Sequence, residues 1–484
     1  MGKQTMPIAI LLLACLFSAT IGSQLTFLAK ANFFPNPGPD LPRIYIRNNG
    51  SVEPATAPIE RTGSLYKLTS NIGLRTIEIQ RDNIVLDGSD FTIRGNESWV
   101  GNHPRLNDPG NNGVIIAGRN NVTITRLNIE NYSLGVSISD SSNISVAGIV
   151  CSRFNKVAGS GWNPRGIIVR DSSFVLIENS NFSSIDGLAI VCNGKNNIIR
   201  GNTVITSRDY SMLIVGSSNQ ISDNIIEGAL GIRMGKADSN IIVRNRISGT
   251  APYSTPDGNY RNYTAGIGIT SIGIALFNCS SNVIVGNNIT GFIDQAILSV
   301  YSCSNNTIYG NYMANNGFAI ALQEGAVDYT FYGNIVAADS CKVLLNDGVE
   351  GTSWNNGTIG NYWGDYNGTD SNGDGIGDAP YTVNGFKWDN VTAGLVSSVS
   401  GQDNYPLMEP YDIEHETIQR PTPSPSPSPS FSEQPTPTPT ALDVSQPELW
   451  PYATVGIGIV AAVFVIGFWK LGRNRSLRSK ITVS

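Results

Sequence analysis

The sequence predicts an all-β protein whose body is a parallel β-helix with rungs of about 22 residues. Three observations carry that expectation. An asparagine marker recurs through two hundred residues, the apolar runs between markers are short and β-branched, and Gly and Asn punctuate them. A proline-rich stalk and a single transmembrane helix are expected to follow the body.

The ends are read first. Residues 1–31 form a signal peptide: one Lys, the apolar run MPIAILLLACLFSATIG, and a cleavage site at Ala29-Lys30-Ala31. A lipidated Cys15 and an uncleaved anchor are the alternatives. Residues 41–72 form an N-terminal cap segment, 73–360 the repeats, and 361–412 a C-terminal cap. Residues 413–447 are rich in Pro, Ser and Thr. Proline at alternate positions fixes φ and removes donors, so Pro421 to Thr440 would extend roughly 60 Å at about 3.1 Å per residue. Residues 450–469 are the transmembrane helix, with Trp450, Tyr452 and Trp469 at its interfaces. The basic tail 470–484 is placed in the cytoplasm, which makes this a single-pass cell-membrane protein with its ectodomain outside.

Only 14% of the residues are charged and the net charge is −6. Removing the five positive charges of the tail (Lys470, Arg473, Arg475, Arg478, Lys480) leaves −11 for the remainder. No basic stripe lies outside that tail, so nucleic acid is not an expected partner.

The repeat is visible in NNIIRGNTVI from Asn196, NQISDNIIEG from Asn219, NIIVRNRISG from Asn240, NVIVGNNITG from Asn282 and NTIYGNYMAN from Asn306. The leading Asn is read at 121, 143, 197, 219, 240, 282 and 306, with Phe174 and Asp328 in its place once each. A second column runs through Asn179, Asn202, Asn224, Asn245, Asn287, Asn311 and Asn334. Runs of three to five residues are too short to pair within their own repeat. Stacked repeats instead pair each run with its equivalent in the next, around an Ile/Val/Leu core. Asparagine suits the corners because it tolerates left-handed backbone and bonds its own copies along the axis, so the columns are structural.

These rungs resemble those of the right-handed β-helix proteins grouped as NosD-like periplasmic copper-binding proteins. The stretch GNYWGDYNGTDSNGDGIGDAPYTVNG, then DNYPLMEP, is similar to the closing segment of the archaeal surface members. RIYIRNNGSVEPATAPIERTGSLYKLTSNI is similar to their leader. The resemblance covers roughly residues 41–412 and implies a right-handed coil, with copper as its functional label.

Copper would want imidazole or soft sulfur ligands. The chain has two His, His103 and His415, far apart, and Met212, Met234, Met313 and Met408 are scattered, so copper is not expected. Calcium is expected, in a structural role. In TDSNGDGIGDAPY, Asp370, Asn372, Asp374, Ile376 and Asp378 fall at the first, third, fifth, seventh and ninth positions of an EF-type loop. Tyr381 stands where the bidentate Glu would be, so the loop reads as a fastener for the end of the β-helix rather than a sensor; a metal-free turn is the plainer alternative.

Asp186 and Asp209 each lie twelve residues after a marker, Phe174 and Asn197, and are weak catalytic candidates for sugar chemistry. Asp186 precedes Gly187, so turn capping is the plainer role. Two oversized rungs carry FNKVAGSGWNPR and SGTAPYSTPDGNYRNYTAG, whose Trp162, Tyr253, Tyr260 and Tyr263 are candidates for stacking on sugar rings or for packing on the flank. Cys279 and Cys303 each precede a marker by three residues and should stack, either as a disulfide or as two core thiols. Of the many Asn-x-Ser/Thr sequons, the loop sites Asn262 and Asn367 are the better glycosylation candidates.

The leading functional expectation is a non-catalytic binding or structural role in the cell envelope, towards carbohydrate or other envelope components. A carbohydrate-active lyase, epimerase or hydrolase is the alternative, and copper delivery the third.

Overall fold

The computed structural model describes residues 41–96, 111–155, 163–206, 209–250, 271–337, 343–389 and 394–412. The signal peptide, stalk, transmembrane segment and tail lie outside the described residues, as do His103, His415, Trp162, Tyr253, Tyr260, Asn262 and Tyr263. Among the described residues no helix is long and apolar enough to cross a membrane.

A typical rung holds three short strands, such as Leu188–Lys195, Ile198–Arg200 and Thr203–Thr206. Each pairs in parallel with its equivalent in the next rung: Ile190 with Met212, Ile199 with Ile221, Val204 with Ile226. The result is a right-handed parallel β-helix. Alternation decides what each strand buries. In Tyr210–Ser217, Met212 and Ile214 face the axis, fully buried, while Leu213 faces outward. Among the described residues the axial core runs from Leu41 to Val383, and Ile supplies more of it than any other residue.

Two hydrogen-bonded asparagine columns run inside the corners. In the first, the backbone N–H of Asn197 donates to Asn219 Oδ1 at 3.0 Å, Asn219 to Asn240 at 2.8 Å, Asn240 to Asn282 at 2.9 Å and Asn282 to Asn306 at 2.9 Å. In the second, Asn202, Asn224, Asn245, Asn287, Asn311 and Asn334 do the same, and their Nδ2 atoms donate to the next Oδ1 as well. Spare Nδ2 capacity goes to backbone carbonyls of the preceding rung, as from Asn245 to Ile221 O at 2.9 Å. Such columns place buried amides where each polar group has a partner.

The marker register differs from the sequence reading by one residue in the early rungs. Asn121, Asn143, Phe174 and Asn196 occupy one corner column with φ from 54° to 57°, and Ser218, Ser239, Ser281, Asn305 and Asp328 continue it. The buried column is the next residue on: Val122, Ile144, Val175, then Asn197. Asn179 likewise lies in the left-handed corner, and Ser180 heads the second column by donating its N–H to Asn202 Oδ1. Asparagine fits both positions, one for its left-handed tolerance and the other for its amide, so matching by residue type slipped between neighbouring columns.

The two ends are closed differently. At the start, the antiparallel pair Ile59–Thr62 and Leu65–Leu68 puts Tyr66 into the core, where its hydroxyl donates to Gly50 O at 2.9 Å. At the far end, rings replace aliphatic side chains. Phe331 stacks on Trp354 at 4.8 Å, and Trp363 on Tyr381 at 4.6 Å. Beyond them the hairpin of Tyr381–Asp389 and Gly394–Asp403 continues the first sheet, the one made by the first strand of each rung such as Leu188–Lys195, past Val343–Leu345.

Candidate functional site

The outer face of the first sheet carries the least ordinary chemistry among the described residues. A second apolar cluster, separate from the axial core, lies there around Leu188, Tyr210, Ile272, Leu298 and Leu344. Phe318 and Phe386 meet edge-on over its distal end at 6.1 Å. Near its middle, the exposed Arg233 guanidinium sits 4.5 Å from the Phe277 ring centroid and 5.8 Å from that of Tyr210. Tyr301, 45% exposed, tilts against Phe277 at 6.1 Å.

Arg165 stands in the same outward column, paired with Leu188, while Leu188 is followed in the next rung by Tyr210. Its Nε is buried and has no hydrogen-bond partner. Burial, then the neighbouring Arg170 charge, pull its guanidinium below the ordinary value, and Asp209 pulls back. Asp209 itself accepts from Asn163 Nδ2 at 2.5 Å and from the Tyr210 backbone at 2.8 Å. Sequence reasoning passed over Arg165 and Arg233 because nothing in a lone arginine shows which sheet face it will occupy.

Asp186 and Asp209 do not face each other. Ile185 pairs with Thr206 and Ile190 with Met212, so four residues in one rung run against five in the next. The expected in-register pair depended on counting from Asn197, and the corner column begins one residue earlier, at Asn196. The Asp186 backbone N–H donates to Phe154 O at 2.9 Å. Gly187 lets the chain pass tightly: a Cβ there would lie 2.1 Å from Pro164 O. These contacts belong to a turn.

The acidic loop 369–378 is a net of local bonds. Asp370 accepts from the backbone of Gly373 at 2.7 Å and Gly375 at 2.9 Å, Asn372 from Asp374 at 3.0 Å, and Asp374 from Ile376 at 2.8 Å. Asp378 turns to the hydroxyls of Ser371 and Thr369, at 2.7 and 2.8 Å, and these hold its carboxyl below the usual carboxylate range. The loop is pinned to the closing segment, Gly377 N–H to Pro406 O at 2.8 Å and Met408 N–H to Gly375 O at 3.0 Å. A calcium ion on Asp370, Asn372, Asp374 and the Ile376 carbonyl fits the donor chemistry of the loop, but Asp378 would have to leave its hydroxyl partners to join them.

Cys279 and Cys303 stack on neighbouring rungs as expected, yet they are thiols, both fully buried. Cys303 Sγ accepts the Cys279 N–H at 3.2 Å, and the Cys279 thiol contacts Phe277 O at 3.3 Å. Cys151 and Cys192 are single, buried thiols whose ionisation burial suppresses. Met212, Met234 and Met313 are fully enclosed in the axial core. Among the described residues no three His, Cys, Asp or Glu come together as a metal site.

The comparisons with known proteins follow this geometry. The family model described as periplasmic copper-binding protein (NosD) matches residues 89–262 and 258–368. No curated protein matches the chain. Among solved structures, the periplasmic alginate epimerase AlgG is 14% identical with a TM-score of 0.42, over 62% of this chain and 71% of that one. A tailspike protein of E. coli bacteriophage HK620, in complex with a pentasaccharide, is 12% identical with a TM-score of 0.41, over 60% of this chain and 64% of that one. The family match spans more than half of the sequence, and on it the chain belongs to the NosD family of periplasmic copper-binding proteins.

Proposed function

We propose that this chain is a non-catalytic binding protein of the cell envelope that presents the outer face of its first sheet to carbohydrate. One observation carries the reading: Arg233 over two aromatic rings and Arg165 with an unpartnered Nε share that face. A buried guanidinium Nε left without an acceptor favours a ligand that supplies one. The exposed Tyr301 ring and the cation near it suit a hydroxyl-rich or carboxylate-bearing saccharide. The periplasmic description of the family agrees with an exported body. Anchoring through 450–469, with the stalk 413–447 as spacer, completes the proposed arrangement.

The test is a glycan array probed with the purified chain, with a product assay on every polymer retained. Retention of one polysaccharide class, weakened about tenfold in Arg165→Gln and in Arg233→Ala, is expected. Asp186→Asn and Asp209→Asn are expected to bind as well as the parent. Product from a retained polymer, lost in Asp186→Asn, would make the chain a carbohydrate-active enzyme instead. No retention on any polymer would leave the structural role.

A further inference from the structure

The asparagine sequons are not equivalent in the folded chain. In most, the middle residue is a core side chain: Val122, Tyr132, Phe182, Cys279, Ile289 and Asn306 are fully buried between rungs, and Ile144 is nearly so. Asn131 is itself buried. A transferase must take the three residues of a sequon into its own cleft, and these can leave the stack only by breaking a rung. Three described sequons have Gly in the middle and an exposed Asn: Asn49, Asn356 and Asn367.

The hydroxyl two residues on separates these three. Ser51 donates both its N–H, at 2.9 Å, and its Oγ–H, at 2.8 Å, to Asn49 Oδ1. Thr358 does the same to Asn356 Oδ1, at 3.0 and 2.8 Å, and Ile359 N–H adds a third bond at 2.9 Å. In both, the bonds to the side chain fall on Oδ1 and come from within the sequon or one residue beyond it. At Asn367 the corresponding hydroxyl, Thr369 Oγ1, is instead given to Asp378 at 2.8 Å, inside the acidic loop.

We propose that Asn49 and Asn356, one near each end of the β-helix, are the N-glycosylation sites among the described sequons. The co-substrate is a glycan joined through its anomeric carbon to a lipid phosphate or diphosphate, delivered by a membrane transferase. The anomeric C–O bond breaks and the phosphate leaves with its electron pair. Nδ2 forms the new C–N bond and gives its proton to a base of the transferase. No electron is gained or lost overall. Hydroxyl and amide donors on Oδ1 draw density into the carbonyl and acidify Nδ2, which points away from these bonds. Both turns lie between strands rather than in a rung strand; Gly357 is exposed, while Gly50 is buried and its carbonyl accepts from Tyr66 and Arg61.

Two glycans at these positions would shield the outer ends of the coil while leaving the first-sheet face uncovered. The inference needs export of residues 41–412 but not the carbohydrate-binding reading.

The experiment is peptide mass mapping of the full chain isolated from its native membranes. The peptides containing Asn49 and Asn356 are expected to carry a glycan mass, and those containing Asn143, Asn181, Asn278, Asn288, Asn305 and Asn367 none. Asn49→Gln should remove the first increment alone, and Thr358→Ala the second alone. An unmodified Asn49 or Asn356 in the mature chain overturns the assignment of that site. Glycan on a rung sequon or on Asn367 in preference to these two overturns the argument from geometry.

Discussion

Asn361 donates its backbone N–H to Asp403 Oδ2 at 2.7 Å, and with that bond the second asparagine column ends on a carboxylate. Every earlier member accepts from the rung before and donates to the rung after. The last member has no rung after it, and an acceptor-only group meets that condition. Asp403 also takes the Trp363 indole N–H at 3.0 Å and the Tyr405 N–H at 3.1 Å, and the Asp403 and Trp363 side chains are buried.

Burial lifts the Asp403 carboxyl above the usual carboxylate range, while its N–H donors pull it back. The folded chain therefore keeps this proton to a higher pH than the unfolded chain does. The contribution to stability is fully present below the unfolded value near 3.8 and is lost as pH rises through the lifted one. Melting curves of wild type and Asp403→Asn between pH 3 and pH 7 should show the wild-type advantage shrinking over that window. An advantage that grows with pH would mean that the donors outweigh burial.

Asn245→Ala addresses the middle of the same column. It removes the acceptor for Asn224 N–H and Nδ2 and the donor to Ile221 O, all buried. Orphaned groups of this kind cost about 1–3 kcal/mol in total stability when water cannot replace the partner. The expected readout is a lower denaturant midpoint with an unchanged slope. Asn143→Ala, at an exposed left-handed corner, should lose less, since no interior amide bond depends on it.

The coil was legible because its period and its β-branched runs repeat, and repetition averages out local ambiguity. The aromatic closure at Trp354, Trp363 and Tyr381 was not legible, since those residues follow the last repeat and nothing periodic places them. Phe174 shows the limit in miniature. It stood in for Asn in the marker list, and it does occupy that corner, 44% exposed at φ 56°, where a bulky side chain is not expected from backbone preference. The register of Asp186 and Asp209 was misread for a related reason. Whether two aspartates align depends on a single extra residue in the turn, and period counting does not resolve one residue.

Cys279 and Cys303 offer a third prediction. The hydrogen bond between the two thiols pushes the first thiol up and pulls the second down, so the pair titrates as a unit and neither sulfur reaches solvent. A thiol reagent should label neither in the folded chain and both after denaturation. Peptide mapping after acid trapping should recover them unlinked. A peptide joined through Cys279 and Cys303 in material trapped directly from cells would restore the disulfide reading.

The acidic loop gives the last prediction. Its anchor bonds run to Pro406 and Met408, on the segment that follows the Asp403 end of the column, so rigidity in the loop is transmitted to the closure. Calcium bound only by the folded chain would stabilise it by about 2.7 kcal/mol at a hundredfold excess over Kd. The melting temperature should accordingly be higher in calcium than in chelator. Asp374→Ala should erase the difference, because it removes a proposed ligand along with the bond to the Ile376 N–H. Ser371→Ala provides the contrast. It frees Asp378 from one of its two hydroxyl partners and should leave the calcium response intact or larger. Equal melting of wild type in calcium and in chelator would reduce the loop to a metal-free turn.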